Sequence, residues 1–253
     1  MHENFWDKVA PHYDAEIFNT LKSDRNNRLG KTIRRLANKS DTVCDFGCGV
    51  GRFVPLLLSC CKNVVATDFS AASLEIAASQ VTASQEDRVD LLKRDLTKKI
   101  RRFCQADFGL LINVMIMPNA DHRDAILANV RSNLKKGAKL VVVVPSYESA
   151  LYSWSRLIEW KRREGKSPRA AENAINRTAS SEVANVAAGT IEISGTPTKH
   201  HLGEELEVQF RKQRFDVLER SRVEYDWSED FDDVPRWLKE PFPWDWLFVV
   251  KRQ

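Results

Sequence analysis

The stretch Thr42 to Phe53, TVCDFGCGVGRF, decides how the rest of the chain is read. Thr42 to Phe46 is a short run of β-compatible residues, and Gly47, Gly49 and Gly51 follow at alternate positions. Beyond them, Val50 to Cys61 has the apolar content and length of a helix. A strand, a glycine turn and a helix form the first unit of a nucleotide-binding α/β fold. The glycines permit a sharp turn and a close ligand, because no Cβ stands in the way. The following helix directs its free N–H groups and the positive end of its dipole at whatever occupies the turn.

Dehydrogenases also carry a glycine turn after their first strand, with the spacing G-x-G-x-x-G. Here the spacing is G-x-G-x-G, followed by Arg52 and preceded by an acid, Asp45. This D-x-G-x-G-x-G run resembles motif I of the class I S-adenosylmethionine (SAM) dependent methyltransferases. The resemblance implies a doubly wound, Rossmann-like α/β sheet of seven strands, mostly parallel with the last strand antiparallel. It implies SAM as cofactor and S-adenosylhomocysteine (SAH) as product. It also implies cofactor contacts from Asp45, Gly47, Cys48, Gly49, Gly51 and Arg52. A glycine turn that binds nothing is the alternative.

The next elements fit that sheet. Asn63 to Thr67 reads as a second buried strand with Asp68 at its carboxyl end, nineteen residues after Gly49. That is where a Rossmann-type fold holds a ribose through its hydroxyls, and a carboxylate there makes charge-assisted bonds. Phe69 and Ser70 are expected as cofactor contacts at the same corner, and Ser70 also reads as the N-cap of a helix running to about Gln80. Arg88 to Lys93 is the third strand. The family resemblance assigns Asp95, with Leu96 beside it, to the adenine. Phe108 to Asn113 is the fourth strand, and ligands bind beyond the carboxyl ends of such strands. Asn113, Val114, Met115 and Met117 are therefore expected to line the methyl-transfer side. No D/N-P-P-Y/F sequence follows, which argues against amino-methyltransferases of DNA bases. Asp121 to Leu134 reads as a helix closed by an αL cap at Gly137. Lys139 to Val144, valine-rich, is a fifth strand covered on both faces.

Residues 146–197 form an insertion that the sheet does not need, read as a helical lid after strand five. Its first part, Glu148 to Glu164, is an amphipathic helix bearing Trp154, Leu157, Ile158 and Trp160. Its second part, Ser167 to Gly195, is polar, small and Ala/Ser-rich, and reads as mobile. Arg156 to Arg169 holds six basic residues against two acidic ones, either a solvated helix face or a docking surface. Gly203 to Lys212 reads as the last helix, Phe215 to Tyr225 as strand six and Trp246 to Lys251 as strand seven. Four of the seven tryptophans fall in this final part; they wall an acceptor pocket or plug the sheet end.

The first forty residues read as helices over Glu3–Val9 and Glu16–Ala37, giving a helical cover over residues 1–38 of a single domain spanning 1–253. The lead-in F-W-x-x-x-A-x-x-Y-D resembles the opening of small-molecule methyltransferases of the ubiquinone/menaquinone group. The resemblance places Tyr13 near the SAM methionine moiety, where an aromatic face suits a sulfonium. Capping of the sheet edge by Trp6 and Tyr13 is the other reading.

Composition sets limits. Of 253 residues 43% are hydrophobic, enough for one large domain. A net charge of +4 is too mild to imply nucleic acid. No apolar run is long enough to span a bilayer, and the opening MHENFWDK lacks a signal-peptide pattern. The five cysteines show no C-x-x-C spacing and no metal-ligand pattern, so no metal and a cytoplasmic location are expected. Among the histidines, His122, just after strand four, is the first candidate for a catalytic base beside Tyr13. His200 and His201 come second. The function expected from the resemblance is methyl transfer to a small-molecule acceptor. An RNA or protein methyltransferase docking through the basic insertion and a SAM-binding module without activity are the alternatives. Acceptor and oligomeric state stay open.

Overall fold

A computed structural model describes residues 3–13, 17–193, 195–229 and 231–253. Asp14 and Glu16, which belong to the opening pattern and its second helix, lie outside the described residues. Among the described residues the main sheet has seven strands: β1 (Thr42–Phe46), β2 (Asn63–Asp68), β3 (Val89–Lys93), β4 (Ala106–Ile112), β5 (Leu134–Pro145), β9 (Phe215–Glu224) and β10 (Trp244–Arg252). Their order is β3-β2-β1-β4-β5-β10-β9. β1 to β5 are parallel, and β10 runs antiparallel between β5 and β9. The strand order reverses between β1 and β4, the place where an open α/β sheet leaves a crevice.

Alternation along β10 shows why this strand belongs in the interior. Trp246, Phe248 and Val250 join one core cluster, while Leu247 and Val249 join the other. A strand apolar on both faces is stable only where both faces are covered. On one face lie α6 (Ala120–Asn133) and α9 (Gly203–Lys212), through Ile126, Leu127, Val130, Leu206 and Phe210. On the other lie α3 (Arg28–Leu36) and α4 (Val54–Leu58), through Leu29, Ile33, Leu57 and Leu58. Each such side chain, fully buried, contributes about 1.5–3 kcal/mol.

Three elements differ from the sequence reading. The second N-terminal helix is two pieces, α2 (Thr20–Ser23) and α3. Asp24 breaks it: its carboxylate accepts the backbone N–H of Leu29 at 2.7 Å, a capping role that competes with helix continuation. Asn27 then turns through a left-handed φ of 47°. The helix expected over Val50–Cys61 is confined to Val54–Leu58, since residues before it form the glycine turn. Gly137, expected as a helix cap, lies inside β5, which begins at Leu134 directly after α6; its φ of 79° sits in a register irregularity opposite Ala106 and Phe108.

Between β5 and α9 the chain forms α7 (Tyr147–Arg163), α8 (Pro168–Glu182) and a separate three-stranded antiparallel sheet. That sheet comprises β6 (Val183–Asn185), β7 (Thr190–Ile193) and β8 (Thr196–Lys199). The segment read as polar and mobile thus holds regular structure. α8 starts at Ser167, whose hydroxyl accepts the Ala170 N–H, with Pro168 at its first position. α7 is moored to the sheet end. The Trp244 backbone N–H donates to Ser149 Oγ at 2.7 Å, and Glu148 accepts from Gly203 N and from Trp246 Nε1, both at 2.9 Å.

Candidate active site

A cavity of about 1750 Å³ opens at the carboxyl ends of β1, β2, β4 and β5. The glycine turn forms its floor. Gly47 and Cys48 donate their N–H groups to the Thr67 carbonyl at 2.7 and 2.8 Å, which fastens the turn to β2. Both Gly47 (φ 75°) and Gly49 (φ 54°) lie in the left-handed region. A Cβ on Gly47 would stand 2.4 Å from Val114, and one on Gly49 2.7 Å from the Tyr13 hydroxyl. These two contacts explain the glycines better than the turn alone does.

Asp68 is the polar centre of the site. Its Oδ2 accepts the Gly49 N–H and its Oδ1 the Ser70 N–H, each at 2.9 Å. Burial raises its pKa, and the bonds from Ser70 and Gly49 oppose that shift. Asp45 lies behind it, 1% exposed, with Oδ2 unpaired. Burial, with the charge of Asp68 second, pushes the Asp45 carboxyl up to about 7. On the far wall Asp95 accepts from Thr97 N at 3.0 Å and Thr97 Oγ1 at 2.6 Å, and pairs with Lys98 at 2.8 Å. Its partial burial alone would raise it, but the Lys98 and Thr97 bonds outweigh this and hold it below the usual range. Asn113 has a left-handed φ of 56° and donates Nδ2–H to Thr20 Oγ1 at 3.0 Å, leaving its Oδ1 unpaired and buried.

The cavity brings together Tyr13, Gly47, Gly49, Asp68, Phe69, Asp95, Leu96, Asn113 and Val114 from the sequence reading. Other expected contacts are placed elsewhere. Arg52 points away from the cavity: its guanidinium donates to the carbonyls of Tyr13, Ile17 and Phe18 and lies 4.6 Å from the Tyr13 ring centroid. Its place in the structure is to tie the N-terminal segment down, with Tyr13 against Gly49. Ser70 is fully buried; its hydroxyl accepts the Ser73 N–H and donates to Asp7 Oδ1 at 2.6 Å, outside the cavity lining. Gly51 faces Ala77, whose Cβ would stand 2.9 Å from an added Cβ. Cys48 is buried behind the turn, and burial pushes its thiol well up.

Met117 lines the cavity, but Met115 does not. Met115 is fully buried in the core, and its carbonyl accepts from His201 Nε2 at 2.8 Å. Of the apolar residues of α7, Trp154 and Leu157 line the cavity, while Trp160 packs with Trp227, Leu238 and Phe242. The tail tryptophans divide between the two expected roles: Trp244 walls the cavity and Trp227 plugs the sheet end. Burial raises the pKa of Tyr13 above its ordinary value, so the hydroxyl stays protonated at neutral pH. His122 is exposed at the rim, on the first turn of α6. His200, the second candidate from the sequence, is buried on the cavity wall beside β8. Its sequence signal, a His-His pair closing the insertion, ranked it only second because nothing in the sequence says which ring faces inward. No group of metal-ligating side chains occurs among the described residues, and no helix is long and apolar enough to cross a membrane.

The family model of the methyltransferase domain matches residues 43–137. No curated protein matches the chain. Among solved structures it is similar to the 1,6-didemethyltoxoflavin-N1-methyltransferase of Burkholderia thailandensis with bound 1,6-didemethyltoxoflavin and SAH. The TM-score is 0.62 at 14% identity, covering 98% of this chain and 86% of that one. A SAM-dependent methyltransferase from Methanosarcina mazei gives 0.59 at 14%, covering 87% and 96%. A Haloferax volcanii structure, a complex between the Trm112 methyltransferase activator and a methyltransferase, gives 0.60 at 15%, covering 97% and 96%. Likeness at these identities speaks for the fold.

Proposed function

The chain carries a class I SAM-dependent methyltransferase domain, and on that premise we propose that it methylates a small-molecule acceptor held in the cavity beyond the cofactor. The observation that carries this reading is the size and lining of the cavity. A site for one ligand measures about 300–1,000 Å³, and this cavity measures about 1750 Å³. Its two ends also differ in chemistry. One end presents Asp68, Asp95 and the glycine turn; the other presents Trp154, Leu157, Tyr225 and Trp244. An aromatic wall interspersed with polar side chains such as Ser149, Thr198, His200 and Asp245 suits a compact organic acceptor.

In this reading Asp68 accepts from the ribose hydroxyls, Asp95 faces the adenine, and Gly47 and Gly49 leave room for the backbone approach. Tyr13 lies over the sulfonium end. SAM supplies a methyl group on an already activated sulfonium. The protein's own contribution is alignment and exclusion of water, and alignment can lower a barrier by about 7–11 kcal/mol. Residues 1–38 serve as a cover and residues 146–197 as a lid within the single domain.

A macromolecular acceptor is the second reading, since the Haloferax relative works with a protein activator. Against it stand the basic side chains of α7: Arg156 and Arg163 pair with Glu159, and Lys161 with Glu164. Calorimetry tests the proposal. SAM and SAH should bind and NAD(H) should not. Asp68→Asn keeps one carbonyl oxygen for the loop and removes the charge, so SAH binding should weaken by roughly 1.5–3 kcal/mol, about tenfold or more. Equal SAH affinity in wild type and D68N, or tighter NAD(H) binding, overturns the assignment.

A further inference from the structure

The described histidines are in unequal positions. His12 sits on the outer side of the N-terminal segment, away from the cavity. His122 is exposed at the rim. His201 is fully buried and its Nε2 is committed to Met115 O. His200 is 9% exposed and lines the cavity. Its Nδ1 stands 3.2 Å from the Thr198 carbonyl. A carbonyl only accepts, so Nδ1 carries the proton and Nε2 is left with its lone pair. Among the described residues no group bonds Nε2, and it is not among the sealed, unpaired atoms of the interior.

The backbone around this ring is fixed. His200 N–H donates to Gly189 O, Lys199 N–H to Ile116 O and His201 N–H to Pro145 O, each at 2.8 Å. Ile116 follows β4 and Pro145 ends β5, so His200 stands on the side of the crevice away from Asp68 and Asp95. Burial, then Lys199, hold its pKa down to about 4, opposed by the bond to Thr198 O, so the ring is bare at neutral pH. The aromatic rings of Trp154, Tyr225 and Trp244 line the same cavity.

Building on the function proposed above, we infer that His200 Nε2 receives the proton of the acceptor. The acceptor is then a planar aromatic compound whose methylated atom carries both a free lone pair and a proton, a phenolic O–H or an exocyclic N–H. The atoms balance as follows. The lone pair of the acceptor atom forms the bond to the methyl carbon while the carbon–sulfur pair stays on sulfur, leaving SAH. As that bond forms, the acceptor's O–H or N–H becomes strongly acidic, and its proton passes to Nε2. The imidazolium then returns it to water. A ring of low basicity suffices, because the proton is given up by a cationic atom. A carboxylate or tertiary amine has no proton to hand over and gains nothing from this group.

The test uses radiolabelled SAM with phenol and aniline as proton-bearing probes, and benzoate and N,N-dimethylaniline as proton-free ones. Wild type should label the first pair and not the second. In His200→Gln the amide oxygen still accepts a hydrogen bond but takes no proton. Labelling should fall by about 10²–10⁴-fold, with SAH affinity within twofold. Binding of phenol to the SAH-loaded protein should stay within about threefold. Independently of any variant, the Nε2 resonance of His200 in 15N-labelled wild type should move when phenol is added to the SAH complex. A fall of less than tenfold in H200Q, an unmoved Nε2 resonance, or labelling of the proton-free probes overturns the inference. So does failure to label either proton-bearing probe by a wild type that binds SAH. A wild type that does not bind SAH refutes instead the function on which the inference rests.

Discussion

The Asp45 carboxyl stands at the end of β1 with an unpaired Oδ2 and Asp68 as its nearest source of like charge. Its pKa near 7 in the fold, against 3.8 for the ordinary group, gives a definite sign to its effect on stability. Between those values the folded protein binds more protons than the unfolded chain, so this group makes stability fall as pH rises from about 4 to 7. At one pKa unit per roughly 1.4 kcal/mol, the full effect is on the order of 4 kcal/mol. His200 and His201, with pKa values pushed down to about 4 and about 3 by burial, act in the opposite direction: they make stability rise with pH up to their ordinary 6.5. The two contributions overlap, and only a difference separates them. Urea unfolding of the ligand-free protein should show Asp45→Asn gaining on wild type between pH 5 and pH 8. A difference that stays constant with pH would show that Asp45 is not the titrating group.

At the level of elements, the cover over the cavity is held from two sides. Ser70 Oγ donates to Asp7 on α1 (Glu3–Val9), and Arg52 grips the carbonyls of Tyr13, Ile17 and Phe18. Arg52→Ala removes the grip and the ring contact while leaving the sheet intact. It should weaken SAH binding roughly three- to tenfold, on the basis of about 0.5–1.5 kcal/mol per lost interaction, with the denaturation midpoint moved little; an unchanged SAH affinity counts against the clasp. Hydrogen exchange is expected to slow in residues 3–13 and in α8 through β8 when SAH and an acceptor are bound, and to change little in the moored α7. Equal protection with and without ligands would argue against a cover. Much of this was legible in the sequence where one signal dominates. β2 and its closing Asp68, the Ser70 cap and α9 (Gly203–Lys212) all follow from periodicity and capping residues. The helix α8 and the small sheet after it gave no sequence signal of their own beyond the Ser167-Pro168 start, because few residues there are apolar, and the helix rests on little more than Ala171 and Ile175. Arg52 and Ser70 were assigned to the cofactor because sequence spacing locates a residue on a turn but not the direction of its side chain.

For the whole molecule the basic insertion and the tryptophan tail prove to be parts of one structure. Arg163 lies 4.0 Å from the Trp237 ring centroid while paired with Glu159, so a positive run in the sequence is partly spent within the fold. Binding to RNA should therefore be weak and unspecific. Each phosphate contact adds about 0.9 to the log–log salt slope on a duplex, and a slope near that of one or two contacts is expected. A steep slope, with saturable RNA labelling abolished in Lys161/Arg162/Arg163→Ala, would favour a nucleic-acid acceptor. The antiparallel insertion of β10 between β5 and β9 also bears on how the molecule comes into being. Pro145 pairs with Asp245, about a hundred residues further on, and β9, made earlier than β10, has no place in the sheet until β10 arrives. Closing so long a loop must precede any contact that rewards it. The half of the sheet that bears β10 and β9 is thus completed late, after β1 to β4 have the chance to assemble. Until then the apolar edge of β5 stands open to any other extended chain, which makes the interval between synthesis of β5 and of β10 the period of greatest exposure to aggregation.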